Sequence, residues 1–147
     1  MIVTALENSR IHVLVRNERL IAMRRHYYFR PNGERFDAWD VDKLIKSSSN
    51  LLVRDIAIAS IDEVDSVYWI GADGDPPTVR ILIRHMQLVK DADLDFPIIL
   101  SADGLVMDGM HRVAKALLEG RTTILAVQFE VQPEPNYRHI DPDELPQ

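Results

Sequence analysis

The chain is expected to fold as a small α/β (α+β) domain, a mixed sheet with helices packed on it and a hairpin-and-helix extension in front. Three observations carry that expectation. Residues 97–121, PIILSADGLVMDGMHRVAKALLEGR, run from an apolar segment through a turn at Asp103-Gly104 into a second apolar segment. A glycine then opens a stretch with apolar residues at helical spacing. Upstream, Tyr27-Tyr28-Phe29 and Phe36-Asp37-Ala38-Trp39 flank Pro31-Asn32-Gly33, a hairpin pattern. A length of 147 residues, 46% of them hydrophobic, suffices for one domain with its own core.

The elements follow in chain order. Residues 8–25 carry two patterns. Ile11, Val13 and Val15 alternate as in a strand, whereas Leu14, Val15, Ile21 and Ala22 fit a helix behind Asn8 or Ser9, the preferred reading. After the hairpin, Asp40 is placed to cap a short helix through Ile45. Ser47-Ser48-Ser49-Asn50 is composed like a linker and divides an N-terminal extension (1–50) from the main domain (51–130). Leu51 to Ile61 suggests a strand through Ile56 and Ile58, followed by an acidic turn, Asp62-Glu63-Val64-Asp65. Gly71 to Pro77 has the composition of an irregular connection. Thr78 then caps a helix with Val79, Leu82, Ile83, Met86 and Val89 on one side. Strands at 97–100 and 105–107, a helix closed by Gly120 and a β-branched strand from Thr123 to Phe129 complete the domain. Prolines and acids from Pro133 onward predict an extended acidic tail over 131–147.

Composition narrows the chemistry. Without cysteine there are no disulfides, thiolate metal sites or cysteine nucleophiles. No apolar run approaches the roughly 20 residues of a membrane helix, and Met1 to Arg10 lacks a signal-peptide pattern, so the expected location is the cytoplasm. The net charge of −6 is unevenly spread: residues 1–46 hold nine Lys or Arg against six Asp or Glu, the remainder eight against seventeen. DNA binding is therefore not expected of the larger part of the chain. Arg24-Arg25-His26-Tyr27-Tyr28-Phe29-Arg30 interleaves cations and rings as a single-strand binder would, and equally as a hairpin packing its rings would. Aromatics left exposed in this part would suit a homodimer contact. His12, His26, His111 and His139 have no metal-ligand spacing, so no metal site is expected.

The most informative segment is Asp108-Gly109-Met110-His111-Arg112. A glycine loop at a helix start gathers unpaired N–H groups and the positive end of the helix dipole, a setting that holds phosphate. Gly109, Met110 and His111 would give backbone donors, and Arg112 a guanidinium. The spacing is neither GxxxxGK[ST] nor GxGxxG.

Taken with PIIL and ADG before it and the Ala-rich helix after it, VMDGMHRVAKALLEG resembles the ParB/sulfiredoxin-like superfamily over roughly Val53 to Phe129. The resemblance implies a nucleotide-binding fold in which a short motif ending in His-Arg or Arg-Arg cradles phosphates. Sulfiredoxin reads Phe-Gly-Gly-Cys-His-Arg here. Met110 stands in place of that cysteine, which excludes sulfinic acid reduction. The partitioning proteins read Gly-Glu-Arg-Arg. The free-serine-kinase branch reads Asp-Gly-His-His-Arg, which Asp108, Gly109, His111 and Arg112 match and Met110 does not.

That likeness implies ATP or ADP with Mg²⁺, and a small hydroxyl-bearing substrate. Glu63 would be the base, with Asp108 and His111 beside the reacting groups. Arg80 and Arg84, one helical turn apart, and His85 are candidates for the substrate's anionic groups. The competing expectation is a non-catalytic nucleotide- or nucleic-acid-binding regulatory module.

Overall fold

A computed structural model describes residues 26–69 and 77–146. The two patterns over 8–25, the Arg24-Arg25 pair and most of the Gly71 to Pro77 connection lie outside them. The described residues form a mixed α+β fold with two sheets. One sheet has the order β1 (Tyr27–Asn32), β2 (Arg35–Asp40), β7 (Tyr137–Ile140) and is antiparallel. The other has the order β3 (Arg54–Ala57), β6 (Thr123–Gln128), β4 (Ile98–Leu100), β5 (Val106–Asp108). Only β4 and β6 run parallel in it. The helices are α1 (Val41–Ser47), α2 (Val79–Asp91) and α3 (Met110–Leu118).

Local chemistry accounts for most boundaries. Asn32 pairs with Arg35 across the hairpin, and Gly33 between them takes φ +66°, which a two-residue turn needs to follow the strand twist. The Asp40 carboxylate accepts the Asp42 N–H, and Thr78 Oγ1 the Ile81 N–H, so both helices start on side-chain caps. At the end of α3 the Gly120 N–H bonds to Leu117 O and the Arg121 N–H to Ala116 O, with Gly120 left-handed at φ +74°.

Packing is in three layers. On one face of the four-stranded sheet, Ile98, Leu100, Val106, Ile124 and Ala126 meet Met110, Val113 and Ala116 of α3. On the other face, Ile99, Met107, Val127 and Phe129 meet Tyr28, Trp39 and Leu44. Beyond the hairpin, Tyr27, Phe29 and Ala38 pack with Leu145. A sheet covered on both faces explains why β4 is an uninterrupted apolar run, Ile98-Ile99-Leu100, all buried. Arg30 fastens the layers: it donates to the Asp103 carboxylate at 2.7 Å and to Tyr28 Oη, and lies over the Trp39 ring.

Four expectations are corrected. The stretch after Pro133 is not a free tail, because β7 completes the three-stranded sheet and Leu145 is buried behind it. The Ser47–Asn50 seam does not separate two packing units, since the middle core layer draws on both sides of it. Tyr27, Tyr28, Phe29 and Trp39 of the hairpin are buried, on both its faces, and Phe36 is half-buried, which removes the four buried rings as a stacking surface for bases and as an exposed dimer contact. In α2 the side bearing Val79, Leu82, Ile83 and Met86 is exposed and only Val89 of that set is buried, because the helix is rotated to set His85 against α3.

Candidate functional site

Gly109 is the N-cap of α3 and adopts φ +107°, ψ 19°. A β-carbon there would come within 2.7 Å of Ile98 Cγ2 and 3.1 Å of Arg112 Nε. The residue is glycine for two reasons, the left-handed backbone and the closeness of β4. Having no side chain, it leaves the helix start without a side-chain cap. The Met110 side chain runs into the core, so only its backbone is at the surface of the loop.

Arg112 grips the chain in front of the helix. One terminal nitrogen donates to the carbonyls of Phe96 (3.2 Å) and Pro97 (2.7 Å), the other to Asp108 Oδ2 (2.5 Å). A guanidinium has five N–H donors, so two are left over among the described residues. One turn later Lys115 Nζ donates to Lys90 O and Ala92 O, a cation on the carbonyl end of α2. Together these residues pin the α2–β4 connection onto α3.

Asp108, Gly109, His111 and Arg112 open into one cleft of about 660 Å³. Its walls include Leu51, Val53, Leu88 and Phe96, and the acids Asp91 and Asp93 stand at its rim with Ser48 and Ser49. A lining that combines these polar groups with apolar residues suits a ligand with an anionic head and a flat or aliphatic body. Asp91 and Asp93 have the oxygen chemistry to meet a hydrated Mg²⁺ carried in with phosphate.

His111 also belongs to a ring cluster. Its Nε2 lies 3.0 Å from Nδ1 of His85 on α2. The ring centroids are 5.3 Å apart and the planes differ by 14°, so the imidazoles meet edge to edge. Trp69 lies over both, at 5.0 Å from His85 and 4.5 Å from His111. Two lone pairs aimed at each other do not share a metal; one nitrogen must carry the bridging proton. Burial, helped by the positive charge of Arg84, holds His85 below the ordinary imidazole value. Its folded form therefore stays neutral where the unfolded chain is already protonated. Stability from this group is full above about pH 6.5 and drains away as pH falls through and below that value. Denaturant unfolding between pH 5 and 8 should show wild type weakening more on acidification than His85→Gln; equal slopes would exclude His85 as the source.

The other candidates lie elsewhere. Arg80 is exposed on α2 and Arg84 half-buried, and neither lines the cleft; His85 reaches it only through His111. Glu63 is buried and sits in a different cavity, on the opposite side of Met110. Its Oε1 accepts the Val106 N–H at 2.7 Å, and Tyr68 Oη donates to Val106 O at 3.3 Å. Since β5 is an edge strand, these two side chains occupy backbone groups that a further strand would use. Trp69, Asp91 and Asp93 were not singled out from the sequence; no local spacing marks them, because only the packing of α2 on α3 brings them to the motif.

Comparison with family models, with curated proteins and with solved structures finds no match to this chain.

Proposed function

We propose that the chain binds a nucleotide of the ATP or ADP class, with phosphates at the Gly109–Arg112 helix start and the base against the apolar wall of the cleft. One observation carries this reading. The cleft joins a helix N-terminus without a side-chain cap, opened by a glycine that tolerates no side chain, to an arginine with two donors unused among the described residues. Phosphate oxygens accept such donors in parallel pairs. Mg²⁺ would enter as the nucleotide complex, near Asp91 and Asp93.

The ParB/sulfiredoxin-like resemblance supports the same ligand class. Of the two expectations from sequence, the placement of Glu63 favours binding without transfer: its carboxylate is bonded to β5 and does not line this cleft. A regulatory nucleotide-binding module is thus the preferred reading, and a phosphotransferase the second. Calorimetric titration with Mg²⁺ and ATP, ADP or CTP should give submillimolar binding to at least one. Arg112→Ala, checked for retained fold, should weaken it by about 1.5–3 kcal/mol. No heat with any of the three would end the proposal. Steady ADP release in the presence of a serine-like alcohol would promote the second reading over the first.

A further inference from the structure

The cavity that holds Glu63 lies on the other side of α3's first turn and plays no part in nucleotide binding as described. It measures about 370 Å³ and is lined by Val64, Val67, Trp69, Met110, Val113 and Leu117, together with Glu63 and Tyr68. Glu63 is only 4% exposed. Among the described residues its carboxylate accepts one hydrogen bond, from the Val106 N–H on Oε1, and no Lys, Arg or His pairs with it. A carboxylate accepts at about four sites. Buried carboxylates are otherwise matched by cations or several donors, because desolvation of an unmatched charge is costly. Here the second oxygen has neither.

We infer that this cavity is a binding site for a small organic cation, an ammonium group on an apolar body, with Glu63 as its counter-ion. The ligand supplies the charge and donors that the protein withholds. The surrounding valines, Met110 and Leu117 cover its hydrocarbon part, and Trp69 adds an aromatic ring of the kind that attracts ammonium groups. The cavity lies within the size range of small-molecule sites. The inference does not depend on the nucleotide proposal, and either can fail alone.

The test uses the full chain and two probes of like shape, 2-phenylethylammonium chloride and the neutral 2-phenylethanol, followed by calorimetry and Trp fluorescence. The ammonium probe should bind saturably and more tightly than the alcohol by about ten- to a hundredfold. Glu63→Gln keeps an acceptor for Val106 and should erase that preference. Because this variant touches the sheet edge, Ala114→Leu supplies a second arm: it places bulk in the cavity wall and leaves Glu63 itself unchanged. It should abolish binding of both probes while leaving the circular dichroism spectrum intact. Equal binding of the two probes, an undiminished preference in Glu63→Gln, or no saturable binding at millimolar concentration would each overturn the inference.

Discussion

Gly109→Ala is expected to lower the unfolding free energy by roughly 3 kcal/mol, a fall in Tm of about 10 °C for a chain of this size. Two costs combine. An L-residue held at φ +107° is strained, and the new methyl must displace Ile98, which is fully buried and fixed by the sheet. The second cost has its own control. Gly120 is also left-handed, at φ +74°, yet a β-carbon there meets nothing within 4 Å. Gly120→Ala should therefore show the backbone cost alone, about 1 kcal/mol. Thermal and urea unfolding of the two variants, side by side, measure the difference. Equal losses would mean that β4 yields readily and that the close approach at Gly109 is not what demands glycine.

Trp39→Ala should cost about 3–5 kcal/mol, the range for deleting a buried large aromatic. The indole is 4% exposed, packs on Tyr28 at 5.6 Å between ring centroids, lies beneath Arg30 and donates from Nε1 to Pro133 O at 2.7 Å. It therefore joins the hairpin, the four-stranded sheet and the returning C-terminal segment. Trp39→Phe keeps much of the ring contact and loses the donor, so it should fall between the alanine variant and wild type. Both variants should unfold in one transition by fluorescence and circular dichroism. Separate transitions would show that the two sheets are independent units, against the shared middle core layer.

What could be read from the sequence was what neighbours in the chain decide. Gly33 and Gly120 stand where positive φ is required, Asp40 and Thr78 cap the helices they precede, and the mixed α+β class follows from the alternation of short apolar runs with helical spacing. What escaped is long-range. β7 joins β2 across about a hundred residues of chain, so its prolines and acids read as tail. The rotation of α2 follows from contacts with other elements, His85 with His111 and Trp69 and the Lys90 carbonyl with Lys115, and no periodicity within the helix reveals it. Glu63 was legible as an acid after a strand; that it reaches the edge of β5 depends on where that edge lies. Asp108, Gly109, His111 and Arg112 share one cleft because they lie within five residues at a helix start, and Asp91 and Asp93 join them only in the fold.

The outermost layer has a temporal side. The hairpin is made early, whereas β7 and Leu145, which cover its outer face, are made late. At typical ribosomal speeds the interval between Asp40 and Tyr137 is about 5–20 s. Over that period the nascent hairpin lacks the cover that β7 and Leu145 give it. A truncation that stops before residue 137 would make this transient state permanent, leaving a sticky species suited to capture by chaperones.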